Sequence, residues 1–478
     1  MISSVLLVTL IGGVAARSPY DLPASEWNTL NTTVGGRLSR GVPIARDCYP
    51  QAGVNVTDPA PGLDCATVQN NYANYTWRDG LYGALTPISL QWETCQKTNQ
   101  GCLLDPKNPK NATAFSAPRI TVKTIADVTQ GFAFSRRTGV PLSIKNTGHD
   151  FAGRSSAPGT LALWTNNIKY INYAKTFIPE GCQQDGVPAL TYGAGQDMES
   201  LFIYADSNNL TFIGGSSTTV GAAGGWVQGG GHSVLSNIYG LGADRVLQFK
   251  IVTPDGRTQV ANACQNQDLF WALRGGGGGT FGVVMEATSE VIPNPVATVS
   301  LKWRLVPTPK NIQLSLRFLS KTAFDGLKKP QASNLLPIFG ERDKWDGRKS
   351  GSGAQSEWTR YDRFLPLLSP IVAGSETSTP RNFALSSRLI PESLFSDNQT
   401  ALLNAMLEST TVSGGSVAYY MTTPFSYRLP NTEQGRTSVS PAWRGAVWHA
   451  LAVATWDYDA GQKSPRQHTC ESARRWIL

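Results

Sequence analysis

The run Leu142-Ser-Ile-Lys-Asn-Thr-Gly-His-Asp-Phe-Ala-Gly-Arg-Ser-Ser156 places one imidazole, His149, between two stretches of small residues, Asn146-Thr-Gly148 and Gly153-Arg-Ser-Ser156. A loop that holds a dinucleotide pyrophosphate presents several backbone N–H groups at close range, so it carries small residues and few inward side chains. Both stretches meet that need. The imidazole between them has a nitrogen suited to attack an activated methyl group on a flavin ring, although a histidine alone is more often a hydrogen-bonding group. A second loop, Gly214 to His232, holds eight glycines, which removes side chains where another surface approaches the backbone. Val220, Trp226 and Val227 interrupt the glycines and point to a packed loop rather than a flexible linker.

The third loop, Gly277-Gly-Gly-Thr-Phe-Gly282, has the G-x-G-x-x-G spacing of a nicotinamide-cofactor fold. Its context excludes that fold: the fingerprint follows a strand and opens a helix, whereas this loop follows the helix-like Leu269-Phe-Trp-Ala-Leu273 and opens a strand. The chain has no phosphate-binding Gly-Lys-Ser/Thr motif, no His-Glu-X-X-His zinc motif and no Gly-X-Ser-X-Gly nucleophile elbow.

The elements that must position these loops follow from periodicity. Arg119 to Lys123 reads as a strand, Ile125 to Thr138 as a helix with Val128, Phe132 and Phe134 turned inward, and Val140 to Ile144 as a strand entering the His149 loop. Thr160 to Trp164 leaves it as a strand. A further α/β stretch starts at Ala189 and includes the strand Val246 to Thr253, the turn Pro254-Asp-Gly256, the helix Asp268 to Leu273 and the strand Phe281 to Val291. After Pro293-Asn-Pro295 the pattern changes to strands at Val299 to Leu305 and Ser416 to Met421, with amphipathic helices at Asn311 to Phe318 and Gln399 to Leu407, a second α+β unit. Residues 17 to about 114, rich in Asn, Pro, Gly and Cys, read as an extended segment pinned by disulfides, with order beginning near Arg119.

The chain has 478 residues, 41% hydrophobic and 16% charged, too long for one compact core, so two domains are expected. Met1 to Ala16 has an apolar stretch and ends in Val14-Ala-Ala16, as a cleaved secretory signal does. Six Asn-X-Ser/Thr sites, at Asn31, Asn55, Asn74, Asn111, Asn209 and Asn398, would be usable only in a secretory compartment, although some such triplets arise by chance; the expected location is the secretory pathway or outside the cell. Seven cysteines fit an oxidising environment. Among the first four, Cys48 with Cys65 and Cys95 with Cys102 is the first pairing to test, the two other connectivities remaining open. No short Cys-X2-Cys pair or accompanying histidine suggests a metal. The net charge of +8 is scattered, which reads as a solvated surface and not a nucleic-acid face. No later stretch approaches the roughly 18 apolar residues of a membrane span.

Three ordered motifs, Ile144-Lys-Asn-Thr-Gly-His-Asp-Phe151, Gly229-Gly-Gly-His232 with Tyr239-Gly-Leu-Gly-Ala-Asp244, and Asp268 to Val283, resemble the vanillyl-alcohol-oxidase type of flavoprotein, in its berberine-bridge-enzyme-like, secreted fungal branch. The resemblance runs from about Cys48 to Trp448. It implies an α+β fold: an FAD-binding domain of two subdomains over residues 115–295 and an α+β substrate domain with an antiparallel sheet over 296–455. His149 is then the residue bonded to the flavin 8α-carbon. The rest of the FAD site falls at Asn146, Thr147, Gly148, Asp150, Gly153, Arg154, Ser155, Gly221, Gly225, Gly231, Gly282 and Val283. The family's second, cysteinyl link falls at Ser217, which cannot form it, so a single covalent link is expected. The implied reaction is hydride transfer from a small specialised metabolite, an alkaloid or polyketide, to flavin N5, with O2 as acceptor; a chanoclavine-synthase-like role is one such activity. A carbohydrate oxidase and a non-catalytic flavin-binding glycoprotein are the alternatives. Candidates for the base are Tyr419, Tyr420, Tyr427 and His232. Past Trp448 the family pattern is lost, and residues 456–478 read as a diverged or truncated polar tail.

Overall fold

The computed structural model describes residues 17–41, 44, 48, 64–72, 74–84, 116–150, 153–157, 159–293, 298–304, 355–368, 382–412, 417–427 and 435–456. The leader, Asn55, Asn111, Cys95, Cys102, Cys470, the helix expected at Asn311 to Phe318 and the tail after Trp456 lie outside them.

The first subdomain is a four-stranded sheet of β1 (Leu38–Gly41), β2 (Ser116–Thr121), β3 (Leu142–Lys145) and β4 (Leu161–Trp164), in the order β1-β2-β4-β3. Strands β2, β4 and β3 run parallel and β1 is antiparallel at the edge. The helix Ile125–Thr138 has the expected bounds because both ends are marked in the sequence. Thr124 and Asp127 form a capping box, and Gly139 ends the helix in the left-handed region. Its Val128, Phe132 and Phe134 are buried with Ile120, Leu161 and Leu163 of the sheet. Parallel neighbours require a crossover, and the one joining β3 to β4 is the His149 loop, which therefore emerges at the carboxyl end of β3, where open sheets bind ligands.

Order begins well before Arg119, which corrects the reading of residues 17–114 as merely extended. The helix Ala24–Thr33 packs Trp27 against Phe134, with ring centroids 5.0 Å apart, and buries Leu30 and Val34 in the same core. Trp27, Leu30 and Val34 are spaced three and four apart, a helical stripe too short to stand out among the polar residues around it. Arg37 ion-pairs with the buried Asp127 at 2.5 Å, fastening β1 to the capped helix.

The second subdomain is a five-stranded antiparallel sheet, order β5-β6-β10-β8-β9, made of β5 (Ile171–Phe177), β6 (Val187–Gly193), β8 (Val246–Val252), β9 (Thr258–Asn262) and β10 (Val283–Glu290). A short β7 (Leu210–Thr211) pairs with β11 (Ile292–Pro293) beside it. The helix Met198–Ser207 buries Met198, Leu201, Phe202 and Ala205 in this unit's core. The helix before the third glycine loop spans Gln267–Leu273 and β10 follows it, so the loop runs from helix to strand as its context requires.

Beyond β11, β12 (Thr298–Arg304) pairs with β13 (Gln355–Tyr361), and β14 (Asn382–Pro391), β16 (Ala446–Trp456) and β15 (Val417–Tyr420) form an antiparallel sheet in that order. The helix Gln399–Val412 sends Leu402 and Met406 into a core with Phe395, Val447 and Trp448. Cys48 is bonded to Cys65, as expected, and Cys182 to Cys264, a pairing that clamps the loop after β5 to the loop after β9. No described helix is long and apolar enough to cross a membrane. Asn74, Asn209 and Asn398 are exposed, whereas Asn31 sits inside a helix and accepts a hydrogen bond from the Leu38 N–H.

Candidate functional site

Three glycine-rich segments from distant parts of the chain meet at the carboxyl end of β3. The Asn146 side chain donates to the Ala194 carbonyl, and its carboxamide fills the space that a side chain at Gly221 would need. The third loop closes from the other side: a Cβ on Gly278 would lie 2.7 Å from the Gly225 Cα, and the Gly277 N–H donates to the Gln228 carbonyl at 2.9 Å. Backbone rests on backbone here, which only glycine permits. Gly225, by contrast, is exposed, and a Cβ added to it would meet nothing within 4 Å.

His149 lies inside this junction, its Nε2 at 2.8 Å from the Thr219 hydroxyl. Burial, aided by the Lys145 cation, pushes its imidazolium down to about 3, against an opposing interaction with the Thr219 backbone. The ring is therefore neutral at physiological pH and keeps one nitrogen lone pair. Lys145 is itself buried and donates to the Tyr82 and Ala84 carbonyls, which ties residues 74–84 to the base of the loop.

The fit to an extended dinucleotide rests on polar atoms that the protein leaves unanswered. Asn146 Oδ1, Ser155 Oγ, Ser217 Oγ and Gln228 Oε1 are buried without a hydrogen-bond partner in the structure, and all four belong to the loops that converge. Buried polar atoms cost free energy unless paired, so a ligand with donors and hydroxyls suits the cleft. The residues present fit FAD.

The remaining expected cofactor residues divide. Thr147 is buried and Gly148 takes the left-handed region beside His149. Asp150 and Arg154 face one another, joined at 2.6 Å, and Asp150 also accepts the Arg154 backbone N–H, with Gly153 left-handed at the turn between them. Gly231 packs against the Trp226 ring. Gly282 abuts the Val252 carbonyl and the Val283 side chain is fully buried in the first core, so these two set the strand's packing.

The base candidates separate by the pleat of the antiparallel sheet, in which successive side chains take opposite faces. Tyr419 hydrogen-bonds to Ser409 at 3.1 Å and packs on Trp448, on the face covered by the helix Gln399–Val412. Tyr420 lies on the other face opposite His449, with rings 6.4 Å apart. His449 in turn meets Trp443 at 5.1 Å and His232 at 5.6 Å, and His232 stacks on Trp443 at 5.7 Å. Tyr427 is packed against Gly240. Burial, reinforced by His449, pushes His232 down to about 4, burial also lowers His449, and burial raises Tyr420 above its ordinary value. A bidentate ion pair from Arg444 to Asp244, at 2.7 and 2.5 Å, holds the Trp443 segment against the second glycine loop's continuation.

Sequence reasoning missed Thr219, His449 and Trp443. Thr219 stood in a loop read for its glycines, and its hydroxyl was the signal it carried. His449 is one of only four histidines in the chain, and that rarity was its signal. Trp443 carried none beyond its size.

The sequence matches the FAD binding domain family over residues 117–262. The FAD-linked oxidoreductase ffsJ of Aspergillus flavipes is 43% identical over 306 residues, 62% of this chain and 49% of that protein, so the chain spans about half of that relative's length. The FAD-linked oxidoreductase cheF of Chaetomium globosum is 33% identical over 470 residues, 93% of this chain and 75% of that protein. In fold, the VAO-type flavoprotein MtVAO615 of Myceliophthora thermophila C1 superposes with a TM-score of 0.79 at 24% identity, covering 98% of this chain and 86% of that one.

Proposed function

Since this chain belongs to the FAD-linked oxidoreductases, we propose that it oxidises a small specialised metabolite, an alkaloid or polyketide, in the secretory pathway or outside the cell. The observation that carries this reading is the junction itself: a flavin-fitting cleft around His149, and an uncharged aromatic and imidazole cluster where the second glycine loop meets the antiparallel sheet. FAD, when bound, would supply the redox chemistry, a hydride acceptor at N5 that O2 can reoxidise.

The chain's own residues do the rest. His149 holds the flavin through one covalent bond, and Ser217 offers a hydroxyl where a second link would need a thiol. Thr147, Gly148 and Ser155 would hold the pyrophosphate with backbone N–H groups and a hydroxyl. Among the base candidates, Tyr419 and Tyr427 serve packing. Tyr420 keeps its proton and donates a hydrogen bond, while the neutral His232 and His449 accept the proton that leaves substrate, a division of roles set by opposite pKa shifts. Trp443, Tyr420 and the two imidazoles favour a flat, weakly polar substrate over a polyhydroxylated one. The two disulfides among the described residues support an oxidising compartment.

The test is anaerobic mixing of the purified yellow protein with indole alkaloids and aromatic polyketide alcohols. Bleaching of the flavin, followed by recovery and H2O2 on admitting O2, supports the reading. Persistent colour with every aromatic candidate but bleaching by oligosaccharides would make it a carbohydrate oxidase, and bleaching by none would make it a binder.

A further inference from the structure

We propose that Thr219 is a positioning residue that selects Nδ1 of His149 as the nitrogen bonded to flavin, an inference that rests on the reading of His149 as the attachment site. The Thr219 hydroxyl occupies the other ring nitrogen, Nε2, at 2.8 Å. Thr219 is buried, and its turn is stapled to the helix Met198–Ser207: the Thr218 carbonyl accepts from the Glu199 N–H at 2.9 Å, and the Val220 carbonyl from the Met198 N–H at 3.0 Å. The hydroxyl is thus fixed by a rigid support while it orients the ring.

A neutral imidazole carries one ring proton, and its tautomer is set by the partner of each nitrogen. With the Nε2–H donating to the Thr219 oxygen, the lone pair lies on Nδ1. Attachment then balances as follows. Nδ1 forms a bond to C8α of the flavin as one C–H bond of the 8-methyl group breaks; the bond's two electrons stay in the ring until O2 takes them, and the C–H proton and the imidazole proton together, through solvent, complete H2O2. The Nε2 proton must leave for the alkylated imidazole to be neutral. The hydroxyl can receive that proton and release its own to solvent, after which it donates to Nε2 where it formerly accepted. A hydroxyl serves both states; a methyl group serves neither.

Three variants, Thr219→Val, Thr219→Ser and His149→Ala, are expressed with FAD, and each is precipitated in acid to measure the fraction of flavin left on the polypeptide. The bonded nitrogen is read by NMR of the isolated flavin-histidine peptide. Wild type and Thr219→Ser should carry covalent flavin through Nδ1. Thr219→Val, nearly isosteric, should keep the melting temperature and noncovalent FAD but lose covalent flavin by about tenfold, or carry it on Nε2. Covalent flavin at wild-type level on Nδ1 in Thr219→Val overturns the role of Thr219. If Thr219→Val fails to fold, Thr219→Ser decides with Thr219→Ala as its partner: equal covalent fractions in these two overturn the proposal. Complete release of flavin from wild type overturns the attachment reading itself, and the proposal with it, whereas retention in His149→Ala shows that another residue holds the flavin.

Discussion

The two halves of the site are built by opposite means. Around His149 the geometry comes from removing side chains: Gly278 rests on Gly225, Gly221 makes room for Asn146, and four buried polar atoms of these loops have no protein partner. Around His449 it comes from adding them: its ring meets those of Tyr420 from β15, Trp443 and His232 of the second glycine loop, the last two also stacking on one another. A cleft made of backbone tolerates no added atom at its contacts and holds one shape for one cofactor. A cluster made of side chains can be altered ring by ring, and on the proposed reading it is where substrate choice would reside.

The comparison breaks most visibly if the two halves cannot be damaged separately. His232→Ala combined with His449→Ala should lower turnover by about 10²- to 10⁴-fold, the range for a lost general base, while flavin content stays at the wild-type level. Stopped-flow reduction and the flavin-to-protein absorbance ratio read the two quantities on one sample. Loss of flavin in this double variant would show that the cluster also builds the cofactor cleft. The converse is Gly278→Ala, whose methyl meets backbone that cannot swing aside. It should destabilise by about 1 to 3 kcal/mol and release flavin. Gly225→Ala, with open space beside it, should change stability by less than about 0.5 kcal/mol yet weaken FAD binding. Melting curves with and without FAD distinguish the pair.

This difference in construction also explains what was legible in the sequence. The cleft could be read because its demand falls on local types: glycine runs, small residues and a histidine within fifteen positions. The helix Ile125–Thr138 was legible for the same reason, since its capping box and left-handed Gly139 are both local. The aromatic cluster was not, because it depends on the register that sets Tyr420 opposite His449, and on a distant loop that supplies His232. Tyr419 and Tyr420 are adjacent in sequence and equivalent in type, and only the pleat turns one into the core and the other toward His449. The helix Ala24–Thr33 escaped because a three-residue stripe gains its meaning from Phe134, a partner far along the chain.

A smaller effect is expected at a buried acid in residues 74–84. Asp79 is buried beside Lys169 and Asp197, and burial pushes its carboxyl up to about 6, the Lys169 cation opposing and the Asp197 charge assisting. The folded state thus holds this proton at pH values where the unfolded chain has released it. By linkage, the contribution of Asp79 to stability is most favourable below about pH 4 and falls as pH rises through 6. Asp79→Asn should therefore stabilise by up to about 2 kcal/mol at pH 7 and by little at pH 4. Urea melts at the two pH values check the sign; a variant less stable at pH 7 than wild type would mean that the Asp79 to Lys169 pair outweighs the burial of the acid.

The smallest effect separates the two roles open to the Asp150 and Arg154 pair. Arg154 leaves most of its side chain in water, 70% exposed, while Asp150 is 21% exposed. An exposed ion pair contributes about 0 to 1 kcal/mol, so Arg154→Ala should cost no more than that. The Asp150 carboxylate also accepts the Arg154 backbone N–H and so keeps closing the loop when the guanidinium is gone. If the cleft grips pyrophosphate with backbone, as its construction implies, FAD affinity in Arg154→Ala should fall by less than about threefold, with the same salt dependence as wild type. Asp150→Ala should be the more damaging of the two, since it removes the carboxylate that accepts the Arg154 backbone N–H and so loosens the turn at Gly153. An Arg154→Ala variant whose FAD binding is much weaker and no longer falls with added salt would place the guanidinium on the phosphates, and would make the cleft, like the aromatic cluster, a site built from side chains.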